Sequence, residues 1–194
     1  MKQTWMKQAE RWTRRIAAGL EILHWAAAAT ALIWLVLALT SNRQMAEVLS
    51  SGASLWGDEM KTYGFELQVV YDGQADLKAA ALFSGGAAVI LSLMAMVFRN
   101  IRLILKAARP QEGEPLTRVF QPDVVRMVRE IGIFYLSVPV AGLAAINLAR
   151  LVLGVERCEA SLQLGGIFTG LVVLCLSQVF AYGVRLQSDV DGLI

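Results

Sequence analysis

The sequence predicts an all-α membrane protein: four transmembrane helices in an up-down bundle, with a polar outer loop that holds a short β-hairpin. Three observations carry that prediction. Of the 194 residues, 56% are hydrophobic and only 18% are charged, well outside the balance of a soluble domain. The apolar residues gather in four blocks, 22–40, 79–98, 131–150 and 164–184, each near the roughly 20 residues a helix needs to cross about 30 Å of hydrocarbon. The basic residues fall in alternate polar segments: 1–21, 99–130 and 185–194 hold 13 of the 18, and the rest of the chain holds five. Lysine and arginine are retained on the cytoplasmic side. Both termini and the 99–130 loop are therefore expected in the cytoplasm and the 41–78 loop outside, all within a single four-span domain, 1–194.

In the leader, 1–21, Trp5, Ala9, Trp12 and Ile16 recur at helical spacing, with Lys7, Glu10, Arg11, Arg14 and Arg15 on the other side. That pattern predicts an amphipathic helix lying in the headgroup layer before the chain turns into the first span. The plainer alternative is a charged flank to that span. The first apolar run, ILHWAAAATALIWLVLAL, is broken only by His24 near its start. Its length, and the lack of a small-residue cleavage site before Ser41, argue against a removed signal peptide.

The 41–78 connection carries six acids against three bases and is too long for a turn. Phe65, Leu67, Val69 and Tyr71 alternate with Glu66, Gln68, Val70 and Asp72, a period of two that ends at Asp72-Gly73. A short strand or hairpin over the bundle mouth is expected, packed on the helix ends or on a second copy, because an isolated hairpin is marginal.

The second block opens in small residues; Ala81, Gly85, Gly86 and Val89 form a face that admits another helix closely. Residues 101–108 extend this helix into the cytosol, and Arg109-Pro110 ends it, since the residue before proline avoids helical geometry. Residues 111–121 read as a loop. Pro122 and Asp123 suit the first turn of a new helix, which runs through Val124, Val128 and Ile131 into the third block. Pro139 predicts a kink there. The fourth block has a small-residue seam at Gly166, Gly170, Ser177 and Ala181. Cys158, in the last loop, and Cys175, about three helical turns deeper, are ill placed for a disulfide.

Few residues carry candidate chemistry. Leu23-His24-Trp25 resembles the opening helix of the b561-related bacterial cytochrome b family, which would make His24 a haem ligand. Bis-imidazole haem needs two histidines and this chain has one, so a haem there would need Met94, Met96 or a second copy as the other ligand. The bland expectation is a hydrogen-bonded interfacial histidine. Asn147, Arg150 and Gln178 form a candidate polar site; Arg150 is close enough to a helix end to extend to the interface. No carboxylate falls within the four blocks, which counts against proton-coupled transport. No phosphate-binding glycine loop, zinc motif or activated serine occurs. The Asp189 and Asp191 pair reads as solvated tail. No catalytic residue, cofactor or metal is assigned, and the chain is expected not to be an enzyme.

The loop segment Gly113-Glu114-Pro115-Leu116-Thr117, followed by Arg126 to Gly132 entering a span, resembles a bacterial membrane family called domain of unknown function 2975. So does the end, VFAYGVRLQSDVDGLI. The sequence departs from that pattern in Leu116, where phenylalanine is usual, and in a longer spacing from Pro115 to Gly132. The resemblance implies a multi-pass protein of the bacterial inner membrane without assigned activity, whose cytoplasmic loop and tail would dock a helix-turn-helix regulator. Gly113, Pro115, Thr117, Arg126 and Arg129 are the candidate docking residues. A sensory or regulatory component is therefore expected, its partners the lipid bilayer, that cytoplasmic regulator and a second copy of itself, with no direct contact to nucleic acid. The alternatives are the haem-binding redox protein and a small permeation or lipid-handling protein.

Overall fold

The computed structural model describes residues 2–40, 43–107, 121–154 and 164–191. They form α1 (Lys2–Leu39), α2 (Arg43–Trp56), β1 (Glu59–Thr62), β2 (Phe65–Gln68), β3 (Val70–Tyr71), β4 (Gln74–Ala75), α3 (Leu77–Ala107), α4 (Pro122–Leu153) and α5 (Leu164–Asp191). Four of these helices, α1, α3, α4 and α5, are long and apolar enough to cross a membrane. This is the pattern of a multi-pass membrane protein.

Local chemistry sets the helix ends. Asp76 caps α3: its Oδ1 accepts from the backbone N–H groups of Lys78 and Ala79 at 2.9 and 3.3 Å, donors that otherwise lack an intrahelical partner. Pro122 and Asp123 open α4 as expected, with the Gln121 carbonyl accepting from Val124 and Val125. Gly154, at φ 93°, closes α4 by donating to the Arg150 carbonyl, a left-handed end that glycine adopts without a Cβ clash. Helix α4 continues through Pro139. The leader and the first apolar run are one unbroken helix rather than a surface helix followed by a turn. The polar tail is helical as far as Asp191.

The 43–76 segment is more folded than its sequence suggests. It holds a helix, α2, and two antiparallel hairpins where one was expected. Strand β1 pairs with β2 in the register Glu59 with Gln68 to Thr62 with Phe65, and β3 pairs with β4. Each hairpin closes through two residues of positive φ, Tyr63 (39°) and Gly64 (81°) in the first, Asp72 (51°) and Gly73 (72°) in the second. Turns with two positive φ values match the right-handed twist of the strands they join. Val69 and Val70 both donate to the Asp58 carbonyl, and Asp76 donates to that of Val69. These bonds fasten the hairpins to each other and to the start of α3.

The chain divides into two compact units. One comprises His24–Leu93 and Ser137–Leu164. Its core holds Leu49 of α2, Phe65 and Leu67 of β2, and Phe83 and Ile90 of α3. Phe65 stacks on Phe83 with ring centroids 5.3 Å apart. The other unit comprises Met1–Leu23, Met94–Leu136 and Gly165–Ile194. Here α4 and α5 approach through glycines: Leu174 covers Gly132, and Leu136 covers Gly170. A methyl group at either glycine would sit 2.7 Å from the covering leucine.

Candidate functional site

Among the described side chains of α1, from residue 11 onward, the buried ones are Ala17, Glu21, His24, Ala28 and Ala38. The first four recur at the 4, 3, 4 spacing of one helical face. Trp12, Ile16, Ile22, Leu23 and Trp25 are exposed. The helix therefore turns its large apolar groups outward and hides a stripe that is small except for one carboxyl and one imidazole. In a lipid setting that is the expected inversion, because alanines allow close approach and polar groups need partners.

His24 lies in the unit that contains the hairpins. Its Nε2 is 2.6 Å from the Tyr63 hydroxyl oxygen, and the two rings are tilted by 37° with centroids 5.9 Å apart. Tyr63 occupies the first turn position of the β1–β2 hairpin at φ 39°. A bulky residue in that region costs about 1–3 kcal/mol, where asparagine or aspartate would be relaxed. The tyrosine at this strained corner is also the residue whose hydroxyl reaches α1. His24 lies 15 residues before Leu39, so the hairpin turn meets α1 about 22 Å from its C-terminal end. Phe65, fully buried, lies against Gly86, which is about 13 Å along α3 from its start. The hairpin thus packs along these helices instead of covering only their ends. His24 is likewise buried, and it is hydrogen-bonded as expected. While Nε2 holds the Tyr63 hydroxyl at hydrogen-bond distance, that nitrogen has no space for an iron atom.

Glu21, three residues earlier on α1, belongs to the other unit. Its carboxylate meets the Arg102 guanidinium of α3 at two points, Oε2 to Nε at 2.7 Å and Oε1 to Nη2 at 3.1 Å. Glu21 is 9% exposed. Two positions before Arg102, Asn100 is also buried and donates its amide to Glu130 Oε2 at 3.0 Å, while Arg126 Nε stands 3.6 Å from Glu130 Oε1. Glu21 is the last residue of the 1–21 leader, one position before the first apolar block, and is given no role in the sequence analysis. Its spacing from His24 was the available signal, since i and i+3 share a face.

The other candidate residues fall in both units: Asn147 and Arg150 in one, Gln178 in the other. Asn147 is exposed and donates to the Leu143 carbonyl of its own helix. Arg150, one turn later, is half-buried. Gln178 is exposed on α5, in the other unit, next to buried Ser177, which donates to the Leu174 carbonyl. Arg129 and Asp189 are exposed. Gly113, Pro115, Thr117 and Cys158 lie outside the described residues. Cys175 is exposed.

On the β1–β2 hairpin, Lys61 bridges Glu66 directly across the strands and Glu59 at 3.1 Å. The hydrogen bond with the Glu66 carboxylate raises Lys61 above its ordinary value, and the same bond lowers Glu66 below its own. Among the described residues no three of His, Cys, Asp and Glu gather closely enough to hold a metal ion. No family model, curated protein or solved structure matches the chain.

Proposed function

We propose that the protein is a non-enzymatic sensory or regulatory component of a bacterial inner membrane. Both termini are cytoplasmic, the folded 43–76 segment is its outer input, and the 99–130 region with the tail is its output. The observation that carries this reading is the Tyr63–His24 hydrogen bond. It joins the turn of a patterned polar segment to a buried position near the start of the first apolar run, so a change at that segment has a specific point of entry into α1. The contacts around Asn100, Arg102 and Glu130 support the output side. They pin the end of α3 and the start of α4, which flank the loop containing Gly113, Pro115 and Thr117. The likeness of that loop and of the tail to domain of unknown function 2975 belongs to the same proposal, as does a helix-turn-helix regulator docking at Arg126 and Arg129.

The test is photocrosslinking in native membranes from a reactive residue placed at Arg129, an exposed position. A cytoplasmic protein is expected, captured in a yield that changes when Tyr63 is replaced by Phe. Capture of lipid and of the chain itself alone, with no dependence on Tyr63, would sink the regulatory reading.

A further inference from the structure

The unit formed by His24–Leu93 and Ser137–Leu164 contains an open groove of about 590 Å³ between α1, α3 and α4. Its walls are carbon almost throughout: Gly85 and Gly86 of α3, Ala144 and Ala145 of α4, and Leu35 of α1. Among the described residues, Lys78 is the one charged side chain on it. The residues sort by level. Gly86 lies opposite Ala145, where an added methyl would come within 3.0 Å of the alanine Cβ. Counting along the antiparallel pair α3 and α4 from that contact puts Lys78, with Val152, at one end of the groove and Val89, with Ala141, at the other. Lys78 to Val89 spans about 16 Å of helix. Lys78 is exposed, one residue inside the start of α3, the level at which a lipid headgroup meets a span.

We infer that this groove binds a single anionic phospholipid, one acyl chain lying against Gly85 and Ala144 and the phosphate against the Lys78 ammonium. The volume falls within the usual range of about 300–1,000 Å³ for pockets that hold small molecules. The wall chemistry selects hydrocarbon, because nothing along it would satisfy a polar ligand once water is excluded. The missing side chain of Gly85 makes the depth: the nearest atoms to a Cβ there are the Leu35 methyls at 4.0 Å, whereas the space beside Gly86 is taken by Phe65 and Ala145. Charge complementarity selects the headgroup: a cation at one end of an otherwise apolar channel favours a phosphate whose net charge is not cancelled by choline. The site is separate from the Tyr63–His24 contact and rests only on these helices crossing a bilayer.

The experiment uses the full chain in nanodiscs of phosphatidylcholine doped with phosphatidylglycerol carrying a photoactivatable acyl chain, or with the equivalent phosphatidylcholine probe. Labelled peptides are mapped by mass spectrometry. The phosphatidylglycerol probe is expected to label residues 78–89 and 141–152 preferentially, exceeding the phosphatidylcholine probe by about fivefold, the effect of one lysine near an anionic group. Lys78→Glu should abolish that preference, and Ala144→Phe should suppress groove labelling by both probes. Should Ala144→Phe fail to yield folded protein, Gly85→Leu fills the opposite wall and carries the same expectation. Equal labelling by the two probes, labelling spread as heavily over exposed α5, labelling untouched by the filling substitution, or a second copy of the chain crosslinked in the groove would each overturn the assignment.

Discussion

Arg102 and Glu21, 81 residues apart in sequence, meet in a two-point ion pair whose shorter contact is 2.7 Å. Only the Nη2 to Oε1 contact, at 3.1 Å, has the geometry of a hydrogen bond; the shorter Nε to Oε2 approach is a contact between opposite charges without one. The Glu21 side chain is 11% exposed and that of Arg102 43% exposed, so water screens one side of the pair.

Removing one partner should therefore cost more than removing both. Arg102→Leu strands a buried carboxylate and is expected to destabilise by about 2 kcal/mol, below the 3–5 kcal/mol of a fully buried pair because Arg102 is partly hydrated. Glu21→Leu with Arg102→Leu should recover most of that loss. Thermal unfolding of the four proteins of this double-mutant cycle in one detergent measures the coupling; additive losses would contradict the pairing.

The two adjacent glycines of α3 should behave differently. A Cβ at Gly86 would stand 2.8 Å from Phe65 Cε1 and 3.0 Å from the Ala145 Cβ, whereas at Gly85 nothing lies closer than 4.0 Å. Gly86→Val is expected to destabilise by about 1–3 kcal/mol through overpacking. Gly85→Ala should be neutral or slightly stabilising, since alanine is the better helix former. Equal effects in the same unfolding assay would count against the packing of the hairpin on α3.

The Lys61–Glu66 bridge predicts how the hairpin responds to pH. Lys61 is raised from 10.5 in the folded chain, so its contribution is complete below that value and is lost as pH rises through the raised one. Glu66 is lowered from 4.5, so its contribution is complete above 4.5 and is lost as pH falls through the lowered one. Proteolysis of the 57–76 segment should be slowest across the plateau between these limits and faster on both sides. Lys61→Gln should weaken the acid limb; a profile unchanged by that substitution would remove the bridge from the explanation.

Much of the helical layout was legible because hydropathy and capping are local. The four apolar blocks, the Pro122-Asp123 start and the Asp72-Gly73 turn all stand where the sequence placed them. What was not legible depends on neighbours. Hydropathy does not distinguish a helix face turned to lipid from one turned to protein, so the exposed Trp12 and Ile16 were easier to see than the buried Glu21 and His24. Helix α2 was hidden by its polar composition, although Leu49 anchors it in the core. The Tyr63-Gly64 turn was not legible because tyrosine is not a turn residue; the contact with His24 gives it a reason to be there.

Tyr63 itself separates turn geometry from hydrogen bonding. Tyr63→Asn should relax the strained corner but lose the hydroxyl, and Tyr63→Phe should keep the strain and lose only the bond. The phenylalanine variant is therefore expected to be the less stable of the two in chemical unfolding. The reverse order would mean that the ring, through packing, matters more than the left-handed backbone.

The central claim is that the hairpin is fastened to α1 through His24, and hydrogen exchange followed by mass spectrometry in nanodiscs tests it most directly. Tyr63→Phe should accelerate exchange in both the β1–β2 hairpin and the α1 segment around His24 by about fivefold, the effect of losing one part-buried hydrogen bond of roughly 1 kcal/mol, while the Glu21–Arg102 region exchanges as before. Unchanged exchange in the hairpin and in α1 would contradict the account.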